Sequence, residues 1–338
     1  MSARNGRRFM VYADFLGTEQ RYAKPQLIVA GRALLEQALA RCVGPRLHDD
    51  DMHLYVYSDT AIITCPKLGP LLRPIAELFG FFLELQNKTG DDDLRIWLRA
   101  AISHGSVLEV AHLQQSERVR TIPLLDTSLP VAYHLESVRK GSRVFVDPKM
   151  KDTAFSGYEK YFFKWKQITG LGHPVAGVRE FLWPAMRYGS ENLAKKTLEF
   201  HGGWSRELRR RRPWAKDDYN YGGMLHFDET LKLFIRTCAL FCSDSQNRRV
   251  MLSILPKSRQ ERHANIEYEW GVWFQALRGV LVGCKLDSST RRDLGVAFVR
   301  ARCVMQSERY FGNFIGELDQ PDYTGFKRGL VALGLIQE

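Results

Sequence analysis

The chain has 338 residues, 45% hydrophobic and 26% charged, as expected of a soluble globular protein with one large domain or two ordinary ones. No apolar run reaches the ~18–20 residues of a membrane span, and the basic N-terminus runs into a strand-like segment without the apolar stretch and cleavage site of a signal peptide. Neither a membrane span nor export is therefore expected, and a cytoplasmic location is; the net charge of +11, with 22 basic and 16 acidic residues in 201–338, is spread along the chain and attracts nucleoside triphosphates and nucleic acid alike.

Arg8–Asp14 alternates in polarity and stops before Gly17, which predicts a strand and then a turn. Pro25 suits the first turn of a helix over Gln26–Val43. His53–Tyr57 and Ala61–Cys65 predict two short strands joined through Ser58, Asp59 and Thr60. Leu68–Asn87 predicts an apolar helix with a break or kink at Pro74. Ile96–His104 predicts a strand ending at Gly105, Leu129–Lys140 a helix and Arg143–Val146 a strand. This order, β-α-β-β-α-β followed by helix and strand, is the ferredoxin-like pattern of an α+β domain. In that fold the end of the first strand lies beside the turn between the second and third. Asp14 and Asp59, 45 positions apart, are thus expected at one edge of one sheet.

Residues 148–195 are mixed and are expected to complete this domain, over 1–195. A mainly helical region is expected over 196–338. It opens on a charge run, Trp204 to Trp214, and carries helices over Thr230–Cys242, Ile266–Val282, Thr290–Met305 and Phe326–Ile336. The six cysteines, at 42, 65, 238, 242, 284 and 303, form no CxxC pair and are expected as reduced core thiols. The five arginines within Arg206–Arg212 read as a solvated basic face. With only Trp204 and Trp214 beside them, they are weak support for nucleic-acid binding.

Four segments carry chemistry. Asp14, at a strand end before Phe15, Leu16 and Gly17, suits a hard cation that takes oxygen ligands, with a backbone carbonyl from the turn. Asp59 alone is ordinary hairpin chemistry. Beside Asp14 it makes a pair of carboxylates that repel unless a cation relieves them. Two cations there, Mg2+ or Mn2+, could activate a ribose 3′-hydroxyl and grip a triphosphate. Arg99 could hold phosphate oxygens through its planar fork, or simply pair with an acid. His104 reads as a packed strand histidine. In the fourth segment Ala132, Leu135 and Val138 follow a helix-core spacing, and Glu136 with Arg139 reads as a solvated pair.

Taken together, Asp14, Ser58-Asp59, the Arg99-to-Gly105 strand and Pro130-Val-Ala-Tyr-His-Leu135 resemble the class III nucleotidyl cyclase family, over residues 8–147. That resemblance implies that Asp14, Asp59 and the Phe15 backbone hold the metals and that Arg99 is catalytic. Phe15, Leu16, Gly17 and Arg99 would contact substrate. Tyr55 stands where purine cyclases carry a base-reading lysine, and Pro130 and His134 stand where they carry a helix Asn and Arg. Phe-Leu-Gly after Asp14, Tyr-Ser-Asp at the hairpin and Ala-Tyr-x-Leu-Glu in the helix look like the bacterial pyrimidine cyclases of Pycsar antiphage systems.

The subgroup implies a uridylate or cytidylate cyclase that is a homodimer with active sites at its interface. Its product, cyclic UMP or cyclic CMP, activates a separate effector. Tyr55 would then read the base, by stacking and through its hydroxyl, and His134 or Arg139 would stand in for the missing arginine. The alternatives are a purine (ATP or GTP) cyclase and a degenerate cyclase fold that binds nucleotide without turnover. A nucleic-acid-binding protein ranks behind both, and no membrane partner is expected.

Overall fold

The computed structural model describes residues 5–16, 25–47, 51–57, 59–89, 97–108, 124–125, 128–165, 167–170, 173–211 and 221–241, with short stretches between 249 and 331. Gly17, Ser58 and Trp214 lie outside the described residues, as do most of Ile266–Val282 and all but isolated positions of Thr290–Met305 and Phe326–Ile336. The chain forms two compact units, Met1–Arg187 and Tyr188–Glu338.

The first unit is built on a mixed sheet. Its first half runs β1 (Asn5–Leu16), α1 (Pro25–Cys42), β2 (His53–Tyr57), β3 (Thr60–Cys65), α2 (Leu68–Thr89) and β4 (Trp97–Leu108). It continues with β5 (Leu124–Leu125), α3 (Ser128–Glu136), β6 (Val144–Val146), β7 (Phe162–Lys164), β8 (Gln167–Gly170), β9 (His173–Ala176) and β10 (Arg179–Phe181). The strands lie in the order β2-β3-β1-β4-β6-β10-β7, β5 adds to β4, and β8 and β9 form a separate two-stranded sheet. The pairs β2–β3, β3–β1 and β1–β4 are antiparallel and β4–β6 is parallel. The first four strands thus have the ferredoxin-like arrangement expected of the sequence, and the unit is α+β.

Side chains alternate across β1, so each face has its own cover. Met10 joins Ile62, Ala101 and Phe145 under Ala132 and Leu135 of α3. Phe15, on the opposite face, packs edge-to-face on Phe82 of α2, with ring centroids 5.1 Å apart. Leu71, Leu72, Ile75, Ala76, Leu78, Phe79, Phe82 and Leu83 of α2 are all buried. Each large side chain among them contributes about 1.5–3 kcal/mol by leaving water.

That burial explains why α2 is not broken at Pro74, the break being one of the two outcomes, break or kink, that the sequence predicts there. One missing N–H near the first turns costs less than the apolar stripe stabilises. Other boundaries also differ. β1 and β4 extend further, and β4 continues through Gly105. α3 ends at Glu136 rather than Lys140. There the Val138 amide donates to the Leu135 carbonyl at 3.3 Å, tightening the last turn, and Gly141 follows with φ 88°.

Within the sheet beyond β4, Arg143 and Glu180 form a buried two-pronged ion pair, at 2.6 and 2.8 Å, and Trp165 donates to the same carboxylate at 3.0 Å. This pair ties the loop before β6 to β10.

In the second unit the charge run is helical as far as Arg211. It belongs to α4 (Trp183–Arg211), whose helical backbone is interrupted at Gly189, with φ 66° and ψ 171°. The sequence does not show this helix: a glycine break and a largely polar face blur its period. α5 (Tyr221–Leu240) begins earlier than the helix expected at Thr230. Trp204 of α4 and Tyr268 both donate to the buried Asp228 carboxylate of α5, the former at 2.7 Å. Cys42, Cys65 and Cys238 are buried free thiols, and among the described residues no helix is long and apolar enough to cross a membrane.

Candidate active site

The register of three strand pairs builds one row of side chains. Asp14 lies opposite Thr60 on β3 and Arg99 on β4, and Thr60 lies opposite Tyr57 on β2. Tyr57, Thr60, Asp14 and Arg99 therefore share the sheet face that α3 covers. One row inward on that face stand Tyr55, Ile62, Tyr12 and Ala101.

Asp59 occupies the turn between β2 and β3. Its carbonyl accepts the Phe15 amide at 3.1 Å, which clamps the turn to the end of β1. In an extended strand N–H and C=O of one residue point to the same side, so the Phe15 carbonyl also faces the turn. The Phe15 side chain is in the core against Phe82, so only its backbone is offered to the site.

The Asp14 carboxylate is held by two weak contacts, Thr60 Oγ1 donating at 3.4 Å and Arg99 Nη2 at 3.4 Å. Burial raises its pKa, Arg99 opposes that shift, and the charge of Asp59 raises it further. The two carboxylates expected to meet are thus close enough to feel each other. Arg99 is 9% exposed, and its Nε forms an ion pair with Glu136 of α3. Glu136 is 3% exposed, so it is not part of a solvated pair with Arg139 as the sequence suggests. Burial is the main cause that pushes its pKa up to about 7, with Arg99 opposing.

Gly105 explains how α3 comes so near. A Cβ on Gly105 would stand 2.7 Å from Ser128 Cβ, so only glycine lets the start of α3 rest on β4. The same helix leaves Tyr133 and His134 exposed, with their rings 5.7 Å apart edge-to-face. Tyr133 also packs edge-to-face on Tyr12 at 5.9 Å. Arg139 lies beyond the helix end and is half-buried.

Tyr55 is half-buried beside the α3 core, and its hydroxyl is 3.4 Å from His53 Nδ1. His104 stacks on Phe9 at 4.5 Å on the other face, and burial lowers its pKa. Leu16 closes β1, and Gly17 is outside the described residues.

The structure therefore brings together Asp14, Asp59, Arg99 and the Phe15 backbone, with Tyr55 one row away. It does not bring the side chains of His134 and Arg139 into that group. Thr60, Tyr57 and Glu136 join the site, although the sequence gives none of them a role in it. Glu136 was legible in principle: it is four residues after the core-facing Ala132, hence on the same helix stripe.

The donor set consists of oxygens, which suits Mg2+ or Mn2+. Among the described residues no three His, Cys, Asp or Glu side chains converge. Two carboxylates and a carbonyl fit a cation that completes its shell with water and substrate phosphates, as Mg2+ does.

No family model matches the chain, and no curated protein matches it. Among solved structures it is similar to the guanylyl cyclase Cya2, at 15% identity over 54% of this chain and 93% of that one, with a TM-score of 0.40. It is also similar to an adenylate/guanylate cyclase/hydrolase from Silicibacter pomeroyi, at 14% identity over 53% and 98%, TM-score 0.36. A third is the adenylyl cyclase CyaB from P. aeruginosa, at 10% identity over 54% and 96%, TM-score 0.35. At such TM-scores the likeness says nothing about the chemistry of this chain.

Proposed function

We propose that the chain is a metal-dependent nucleotidyl cyclase that converts UTP or CTP to the 3′,5′-cyclic nucleotide and pyrophosphate, as a second messenger of antiphage defence. The observation that carries this reading is the meeting of Asp14 and Asp59 at one sheet edge, beside the buried Arg99. The motif resemblance supports the reaction class, and Tyr55 in place of a base-reading lysine supports a one-ring base.

In this reading Asp14, Asp59 and the Phe15 carbonyl hold two Mg2+ or Mn2+ ions. Bound there, the ions supply Lewis-acid activation of the 3′-hydroxyl and neutralise triphosphate charge. The 3′-oxygen gives its proton to solvent water and bonds to the α-phosphorus, and the bond from that phosphorus to the pyrophosphate oxygen breaks, releasing pyrophosphate. Arg99 sits beside Asp14 with one edge of its guanidinium toward the site, where it steadies phosphate oxygens. Tyr55 lines the approach of the base. The exposed His134, with Arg139, serves substrate bound across a homodimer interface, and the product goes to a separate effector.

Purified protein incubated with each of the four nucleoside triphosphates and Mn2+ tests this directly. Cyclic UMP or cyclic CMP is expected, and none from an Asp59→Ala variant that melts like wild type. Product from ATP or GTP alone would overturn the pyrimidine assignment. Pyrophosphate release from UTP by Asp59→Ala would overturn the metal assignment.

A further inference from the structure

Arg99 has two anionic neighbours, which meet different nitrogens of its guanidinium. Nε and Glu136 Oε1 form a buried ion pair without the alignment of a hydrogen bond, whereas Nη2 reaches Asp14 at 3.4 Å. Charge-assisted N–H···O bonds close to about 2.7–2.9 Å, so the Asp14 contact is loose. Glu136 is 3% exposed and Arg99 9% exposed, so each needs the other's charge to be tolerated in the interior. The two residues come from different elements, β4 and α3, and the start of that helix rests on the same strand where Ser128 meets Gly105.

The geometry points to Glu136 as a positioning residue: it holds the guanidinium of Arg99 back from Asp14, leaving that carboxylate to a divalent cation and the free edge of the guanidinium to a triphosphate. This inference rests on Asp14 and Asp59 being the cation site. Without Glu136, Asp14 is still an anion in contact with Arg99. The 3.4 Å contact would then close into a full ion pair that competes with the cation for the same oxygens. Glu136 touches neither metal nor substrate in this scheme and acts only through Arg99.

Mn2+ titration of the full chain, read as loss of the free-Mn2+ paramagnetic signal, tests this without turnover. Glu136→Gln is expected to weaken Mn2+ binding roughly tenfold, within the range of coupling inside one ion-pair network, and Glu136→Asp to recover most of it. In assays with limiting Mn2+, Glu136→Gln should raise KM for the triphosphate, and saturating Mn2+ should restore kcat. A general loosening of the fold would not give that split.

The double variant Arg99→Gln/Glu136→Gln buries no lone charge and so guards against a Glu136→Gln protein that fails to fold. It should bind Mn2+ like Arg99→Gln alone, within about twofold. Weaker binding by the double variant than by Arg99→Gln would overturn the inference, as would a folded Glu136→Gln protein with wild-type affinity. Separately, an Asp14→Asn protein that binds Mn2+ like wild type would sink the cation site itself, whatever the Glu136 variants do.

Discussion

Replacing Gly105 by alanine probes how closely α3 is seated on the strand that carries Arg99. The added Cβ would lie 2.7 Å from Ser128 Cβ and 2.9 Å from its Oγ. Favourable carbon contacts begin at about 3.5 Å, so strand and helix must separate by most of an ångström. Ser128 Cβ is fixed to its own backbone and cannot swing away. Overpacking of this kind costs roughly 1–3 kcal/mol.

Alanine also returns about 0.5–1 kcal/mol, because glycine loses more conformational freedom in a strand. The net expectation is a loss of about 1–2 kcal/mol in the otherwise wild-type chain. In a Ser128→Gly background the obstacle is gone, and the same change should stabilise by about 0.5–1 kcal/mol. Equilibrium urea unfolding of the four proteins, with each transition fitted separately, measures the cycle. Equal effects of Gly105→Ala in both backgrounds would refute the claim that contact with Ser128 is what requires glycine.

Other outcomes follow from neighbouring observations. Asp14→Asn should abolish cyclic-nucleotide formation without lowering the melting temperature, since a buried carboxylate with raised pKa is being neutralised; a clear drop in melting temperature would contradict that. Tyr55→Phe removes one neutral hydrogen-bonding group, worth about 0.5–1.5 kcal/mol, and should raise KM for UTP about two- to tenfold in steady-state assays. Glu180→Ala leaves Arg143 unpaired in the core and should cost about 3–5 kcal/mol in denaturant unfolding, while Arg143→Met/Glu180→Leu should cost less than that single change.

Burial lowers the His201 pKa from 6.5 to about 4, so the folded state binds fewer protons than the unfolded chain and stability is lost as pH falls from 6.5 toward 4. Asp228 is raised from 3.8 to about 6 and gains stability over the lower part of that window, between 6 and 3.8, as pH falls. Melting temperatures of His201→Gln and Asp228→Asn between pH 4 and 7 should therefore diverge in opposite directions from wild type.

Much of the site was readable before any coordinates because it depends on local pattern. Alternation places Asp14 at a strand end, and Asp59 lies between two short apolar runs, so the β-α-β-β-α-β order alone brings them to one edge. What was misread involves long-range partners. Pro74 looks like a break by its own chemistry, and the stripe from Leu71 to Leu83 overrides it. Glu136 looks solvated because it stands near Arg139, Lys140 and the end of a helix. Its actual partner, Arg99, is 37 positions earlier in the chain.

The sequence by itself determined the elements β1 to β4, α1 to α3 and β6, their order and the edge at which two acidic side chains meet, because hydrophobic period and turn chemistry act over a few residues. Only the tertiary structure decided how firmly Arg99 is held, and by which acid. That choice depends on the approach of α3 to β4, which at the start of the helix is close enough to require glycine at position 105. It also depends on the removal of water from the charges between them, and both arise only when separate elements pack.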